Sequence, residues 1–113
     1  MLTLGSGGRI WLCTQPTDMR RSFDGLSALV RNELGADPTG GNWFVFVNRR
    51  KTMLKVLAFD GDGYWIWSKR LEVGQFAVAN GKRSGKITLS RTALLALLEG
   101  CHHRSESVLI PPV

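Results

Sequence analysis

Cysteine is scarce in this sequence, and long apolar runs are missing. The only cysteines are Cys13 and Cys101, too few for the disulfide framework of a small secreted domain. Residues 1–8 have neither the basic segment nor the apolar segment of a signal peptide. The longest apolar run, around residues 94–98, is about a quarter of the roughly 20 residues that a membrane helix requires. The sequence therefore predicts a cytoplasmic protein that has no contact with a membrane.

Motifs for nucleotide binding, nucleophilic catalysis and metal binding are also missing. Gly5–Gly8 precedes a predicted strand instead of joining a strand to a helix, so it does not match a phosphate-binding loop. No nucleophile elbow surrounds any serine. Cys101, His102 and His103 are adjacent, and adjacent side chains cannot all reach one tetrahedral ion. We expect no cofactor, no metal and no small-molecule substrate, and we interpret the cysteine–histidine run as a loose helix end.

The aspartates allow one catalytic hypothesis, a two-metal nuclease or transposase site. Its candidate ligands are Asp18, Asp24, Asp60 and Asp62. Asp60 and Asp62 flank a glycine in a predicted tight turn, where aspartate is a common turn former, and Asp18 suits a helix cap. The structural interpretation is the better one, and we expect that the protein is not an enzyme.

The chain has the length and composition of one globular domain. It contains 113 residues, of which 43% are hydrophobic and 21% charged, and domains most often have about 100–150 residues. No internal repeat or linker composition divides it. We expect a single domain over residues 1–113, with a core at about 7–104 and terminal segments at 1–6 and 105–113.

Apolar spacing predicts two helices. Phe23, Leu26, Val30 and Leu34 follow the helical period, and Gly35 is a typical residue after a helix end. A second helix begins after Ser90, with Leu94, Leu97 and Leu98 facing inward, and ends at Gly100.

Five segments rich in strand-forming residues surround these helices. They are Arg9–Thr14, Asn42–Asn48, Met53–Asp60, Gly63–Arg70 and Lys86–Leu89. The turn at Asp60–Gly63 is a strong hairpin signal. If Gly61 and Asp62 form the two-residue loop, Ala58 pairs with Trp65 and Val56 with Trp67. A loop shifted by one residue would change these partners but leave the same residues on each face. We predict an α+β fold: a small antiparallel sheet with the two main helices packed on one side.

Basic residues exceed acidic ones by 15 to 9, a formal net charge of +6. This sign favours a polyanionic partner such as DNA. The cations are predicted to gather in an exposed loop, at one end of the hairpin and at the start of the first helix. The candidate phosphate-contacting residues are Arg49, Arg50, Lys51, Lys55, Lys69, Arg70, Arg20 and Arg21. Two alternatives stay open: an acidic protein partner, or charges that only keep the surface solvated.

Tryptophan forms the last pattern. Trp65 and Trp67 share a strand face with Lys69, as in a base-stacking platform. Their predicted partners, Ala58 and Val56, are small, which is typical of a packed layer. We expect both tryptophans to belong to the core.

Beyond these general signals, several motifs together resemble one family. Residues 17–26, TDMRRSFDGL, are similar to the segment that opens the TnpB-type accessory proteins of the insertion-sequence-66 transposon family. The central blocks, KVLAFDGDG at 55–63 and WSKRLE at 67–72, also resemble this family, as does the ending Leu98–Gly100. The similarity extends over roughly residues 7–104. The chain departs from the family pattern at Ala77–Val78, where an aromatic–proline pair is common, and at Cys101–His102.

The resemblance implies an accessory protein encoded beside a separate transposase and needed for efficient transposition. The resemblance implies no catalytic residues for this chain. By position, the family's basic residues correspond to Arg49–Arg50, Arg20–Arg21 and Lys69–Arg70. We expect DNA and the element-encoded transposase as partners, with action at the nucleoid, and leave a homo-oligomer open. The alternative is a protein–protein adaptor that docks on the transposase without touching DNA, through Trp65 and Trp67 or the tail 108–113.

Overall fold

A five-stranded sheet with the strand order β4-β3-β2-β1-β5 organises the fold. The computed structural model describes residues 4, 7–78 and 85–101, so Lys82, Arg83, His102, His103 and the tail 108–113 lie outside the described residues. The elements are β1 (Ile10–Cys13), α1 (Phe23–Asn32), β2 (Trp43–Val47), β3 (Met53–Phe59), β4 (Tyr64–Arg70), β5 (Lys86–Leu89) and α2 (Arg91–Glu99). The predicted α+β class is confirmed.

The sheet is mixed, with one parallel pair. β1 and β2 run parallel, with Trp11 opposite Phe44, whereas β2–β3, β3–β4 and β1–β5 are antiparallel. The parallel pair arises because α1 connects β1 to β2, and a crossover helix returns the chain to the same end of the sheet. The predicted antiparallel arrangement therefore holds for every neighbouring pair except this one.

The two helices pack on opposite faces of the sheet. One apolar cluster joins Leu26 and Val30 of α1 to Phe44 and Leu57. The other joins α2 to strand residues whose side chains point to the opposite face, with Leu94 and Leu97 against Val45 and Val56. The expectation that both helices lie on one side is wrong.

The composition of β2 explains why both faces are covered. Phe44 and Phe46 face α1, while Val45 and Val47 face the α2 side, and all of them are buried. A strand that is apolar at successive positions is typical of a centre buried on both faces. That signal was present in the sequence.

The hairpin follows the predicted register. Ala58 is opposite Trp65 and Val56 is opposite Trp67, and the pairing continues without a bulge from Phe59–Tyr64 to Met53–Arg70. The tip is a two-residue loop, because the Asp60 N–H donates to the Gly63 carbonyl at 3.0 Å.

The hairpin tryptophans are not core residues, contrary to expectation. The exposed fraction is 42% for Trp65 and 41% for Trp67. In contrast, Trp43 packs against the cluster on the α2 side, and Trp11 packs against the cluster on the α1 side. The difference follows from position, since α2 contacts β5 at the far edge of the sheet and reaches β4 only at its last turn, where Lys69 Nζ donates to the Leu98 carbonyl.

Candidate nucleic-acid interface

Most of the predicted cations lie at one end of the sheet, which we call the Arg49 end. It is the end at which β2 and β4 finish and β3 begins. The loop Asn48–Thr52 forms its tip, and Arg70 is opposite Met53 beside that loop. The segment 16–21, which precedes α1, lies against the same loop, because the Thr17 N–H donates to the Val47 carbonyl at 2.9 Å.

Asn48 holds the loop in its bent shape. Its Oδ1 accepts hydrogen bonds from the N–H groups of Thr52 at 2.9 Å and Met53 at 3.0 Å. Its carbonyl accepts from the N–H of Lys51 at 3.0 Å. Lys51 adopts a positive φ of 62°, a left-handed conformation that costs an ordinary residue about 1 kcal/mol. This role of Asn48 was not expected from the sequence, although an asparagine directly after a strand is a typical turn former.

A second set of hydrogen bonds fixes the loop from the segment after β4. Gln75 Nε2 donates to the Arg50 carbonyl at 2.8 Å, and the Phe76 N–H donates to the Lys51 carbonyl at 2.7 Å. Phe76 itself is buried. The backbone under Arg49 and Arg50 is therefore anchored on both sides.

The side chains of Arg49 and Arg50 extend from this fixed backbone. Both residues are exposed. Within residues 7–78 and 85–101, neither guanidinium forms an ion pair with a carboxylate. Two full positive charges on a rigid loop suit contacts with phosphate oxygens, because guanidinium groups bind phosphates through paired N–H donors.

A shallow groove separates this loop from the segment before α1. Its volume is about 450 Å³, and it is lined by Pro16, Thr17, Asp18, Met19, Asn48, Arg49 and Arg50. Polar and charged groups from both segments meet there. The groove gives the Arg49 end a concave surface.

Arg20 and Asp18 form an ion pair at the margin of the groove. Arg20 Nε and Nη2 both donate to the Asp18 carboxylate, with the shortest contact at 2.6 Å. These side-chain hydrogen bonds, and a further one from the Arg20 N–H, hold the pKa of Asp18 well below its usual range. The carboxylate raises the pKa of Arg20 in return. The charge of Arg20 is thus largely compensated.

Arg21 and Arg70 have weaker partners. Arg21 Nη1 donates to the Gly25 carbonyl at 3.3 Å, and Arg70 forms an ion pair with Glu72 at 3.1 Å in which both side chains are well exposed. Exposed pairs of this kind contribute at most about 1 kcal/mol. Both guanidiniums can exchange these partners for a phosphate at small cost. Arg21 precedes α1, which begins only at Phe23, and Arg70 is the last residue of β4.

The Lys55 ammonium donates its hydrogen bonds within the protein. Its Nζ donates to the Met19 carbonyl at 2.9 Å and to the Arg21 carbonyl at 2.7 Å. These bonds tie the segment before α1 to the middle strands of the sheet. Because Lys55 alternates with buried Leu54 and Val56, its side chain emerges on the α1 face, where a partly buried ammonium needs acceptors.

Lys69 and Lys86 hold helix ends in the same way. Lys69 Nζ donates to the Leu98 carbonyl at 2.7 Å in the last turn of α2, a position where the helix dipole favours a cation. Lys86 Nζ donates to the Leu34 carbonyl at 3.0 Å and lies over the Trp11 ring at 4.9 Å. Lys69 points to the α2 face, away from Lys55 and Arg70. The structure thus separates Lys69 from the other candidates.

The four aspartates do not gather at one place. Asp60 and Asp62 belong to the hairpin tip, at the opposite end of β3 from the groove that contains Asp18. Asp60 also accepts a hydrogen bond from Trp65 Nε1. Among residues 4, 7–78 and 85–101, no three histidine, cysteine or acidic side chains are grouped as metal ligands would be.

Neither of the helices in this part of the chain has the length and apolar character needed to cross a membrane.

The chain belongs to the IS66 Orf2-like family, whose model matches residues 8–107. This is a family of accessory proteins associated with transposition. The chain is 38% identical, over 104 residues, to the uncharacterized protein y4hO of Sinorhizobium fredii, covering 92% of this chain and 90% of that protein. It is 43% identical over 76 residues to y4jC of the same organism, covering 67% of this chain and 65% of that protein. No solved structure matches the chain.

Proposed function

We propose that this protein is a non-catalytic accessory factor of transposition that binds DNA, alone or in complex with the transposase, through its Arg49 end. One observation carries the proposal: Arg49 and Arg50 are exposed on a loop whose backbone is held by hydrogen bonds from Asn48, Gln75 and Phe76. The family membership supports a role in transposition. We expect the protein to act at the nucleoid, where its DNA partner is.

The proposed mechanism is positioning by charge. Contacts to phosphates fix the register of a protein on DNA and carry no sequence information of their own. Arg49, Arg50 and Lys51 supply the primary contacts. Arg21 and Arg70 add further contacts when they leave their weak partners, whereas Arg20 stays paired with Asp18 in the wild type. We assign Lys55 and Lys69 a positioning role, because their ammonium groups already bind backbone carbonyls.

The expected salt dependence follows from the number of contacts. About five phosphate contacts on duplex DNA give a slope of log K against log salt concentration of about −4 to −5. Each contact contributes about 0.9 to this slope. The slope therefore counts the cations that meet phosphate, whichever DNA sequence is bound.

The test compares two double variants of equal charge change. Arg49→Gln/Arg50→Gln removes the proposed contacts, and Arg9→Gln/Arg91→Gln removes two exposed arginines at the opposite end of the sheet, beside Ile10 and Leu89. Binding to duplex, single-stranded and transposon-end DNA is measured at several salt concentrations. The first variant should flatten the duplex slope by about 1.8, and the second should leave it nearly unchanged. Equal slopes in both variants and the wild type would reject the proposal.

A second candidate function is an adaptor that docks on the transposase without DNA contact. A groove of about 370 Å³ on the α2 face favours it, lined by Trp43, Val56, Trp67, Arg91, Leu94, Leu95 and Leu98. Leu95 and Trp67 are 64% and 41% exposed and line the same groove, and an exposed apolar patch of this kind is typical of an interaction surface. Co-purification with the transposase at high salt separates the two functions, because apolar docking survives salt and phosphate contacts do not.

A further inference from the structure

The outer edge of β4 is an unused pairing surface in the described part of the chain. β4 is the last strand of the sheet and is hydrogen-bonded there only to β3. It is seven residues long, longer than β1, β2 or β5. Its other edge presents N–H and C=O groups to which a further strand could bind.

The hydrogen bonds at both ends of the hairpin show which residues face outward. The Asp60–Gly63 bond closes the tip, and the Leu71 N–H donates to the Thr52 carbonyl at the other end. Bonded and non-bonded pairs alternate in an antiparallel ladder. The N–H and C=O groups of Trp65, Trp67 and Lys69 therefore bond to β3. Those of the intervening residues, Tyr64, Ile66, Ser68 and Arg70, point away from the sheet.

Nothing in the strand itself blocks this edge. Edge strands are usually protected by proline, by a bulge or by a lysine that projects from the edge. Residues 64–70 contain no proline or glycine, and the pairing with β3 is continuous. The Lys69 ammonium is held by the Leu98 carbonyl, so it does not guard the edge. Trp65 and Trp67, beside the edge, are about two-fifths exposed.

We propose that a second copy of this chain binds here, with the two β4 strands antiparallel and related by a two-fold axis at Trp67. Trp67 is the midpoint of Tyr64–Arg70, so this is the centre that pairs all seven residues. It places Ile66 opposite Ser68 and Tyr64 opposite Arg70 of the second copy. All of these residues have outward N–H and C=O groups, so the register satisfies the backbone of both edges.

The side chains that meet in this register are chemically complementary. On the α2 face, Trp65 lies opposite Lys69 of the second copy, and Trp67 meets its own counterpart. On the α1 face, Tyr64 lies opposite Arg70 of the second copy. Arg70 opposite the Tyr64 ring and tryptophan opposite tryptophan are favourable cross-strand pairs, while the Lys69 ammonium stays on the Leu98 carbonyl. The dimer would carry its two Arg49 ends at opposite ends of a continuous sheet.

The test measures the mass of the full chain by sedimentation as concentration rises to about 1 mM. The mass should rise from 12.5 kDa to twice that value. Trp67→Glu should keep the protein monomeric, because two carboxylates would meet at the axis. Ile87→Glu is the matched control: Ile87 has the same 41% exposure and lies on the same face, but on β5, and this variant should still dimerise. Far-ultraviolet circular dichroism confirms that both variants are folded.

A cysteine at the axis tests the register. In a Cys101→Ser background, Trp67→Cys should form an intermolecular disulfide on oxidation, because residues of a non-hydrogen-bonded pair have Cα atoms about 4.5 Å apart. Ile87→Cys should not. A wild type that stays monomeric, an Ile87→Glu variant that loses the dimer equally, or a dimer in which Trp67→Cys does not crosslink would each overturn the proposal. Arg49→Gln/Arg50→Gln should dimerise normally, which separates this result from the test of DNA binding.

Discussion

Replacing Lys55 by methionine distinguishes a residue that holds the fold from one that contacts phosphate. In the structure, its ammonium donates to the carbonyls of Met19 and Arg21. Each hydrogen bond from a charged group contributes about 1.5–3 kcal/mol. Solvent can partly replace the bond to Arg21, and methionine retains the apolar packing of the stem. We therefore expect a loss of about 2 kcal/mol in the free energy of unfolding.

The expected change in melting temperature follows from the size of the chain. For 113 residues, a loss of 1 kcal/mol lowers Tm by about 4 °C, so Lys55→Met should lower Tm by about 8 °C. Thermal unfolding followed by circular dichroism measures this shift. The salt slope of DNA binding, measured well below Tm, should stay close to that of the wild type.

Lys51→Met is the control for the lost charge. Lys51 lies in the neighbouring loop, and only its backbone is used by the Asn48 and Phe76 hydrogen bonds. This variant should keep its Tm and flatten the salt slope by about 0.9. If Lys55→Met instead showed an unchanged Tm and a flattened slope, Lys55 would be a phosphate ligand and the proposed positioning role would be refuted.

Two further predictions concern the Asp18–Arg20 pair and the start of α2. Asp18→Asn should release Arg20 and steepen the salt slope by about 0.9. Because the pKa of Asp18 is lowered, its carboxylate stays charged between pH 5 and 8. DNA binding by the wild type should therefore show no titration from this pair in that range. An unchanged slope would mean that Arg20 does not reach phosphate. Ser90→Ala removes the oxygen that accepts from the Ala93 N–H at 3.0 Å, which should lower stability by about 1 kcal/mol and Tm by about 4 °C without changing DNA binding. A Tm equal to that of the wild type would show that this cap contributes nothing.

The local features of the fold could be predicted from the sequence. The Asp60–Gly63 turn predicts which residues share a face of the hairpin, and the structure selects Gly61 and Asp62 as the loop. The Ser90 cap and Gly100 mark the ends of α2, as observed. These signals act over a few residues, so they do not depend on the rest of the molecule. The resemblance to the transposon family could also be recognised from the sequence, because it depends on short motifs that follow one another along the chain.

The candidate site was predictable only in part. Arg49 and Arg50 were expected in an exposed loop, and they lie there. Lys55 and Lys69 were grouped with them, yet each donates to a backbone carbonyl more than 25 residues away in sequence. A sequence places a lysine on one face of a strand, but the carbonyl that its ammonium meets depends on how distant segments pack.

By itself, the sequence determined the helices, the strands, the two faces of the hairpin and the family, because turns, caps and apolar periodicity are local properties of the chain. Only the tertiary structure decided the rest. The crossover through α1 made β1 and β2 parallel, burial on both faces of β2 placed α1 and α2 on opposite sides, and the position of α2 left Trp65 and Trp67 exposed. Each of these outcomes depends on which distant surfaces can bury apolar area together, and no short segment contains that information.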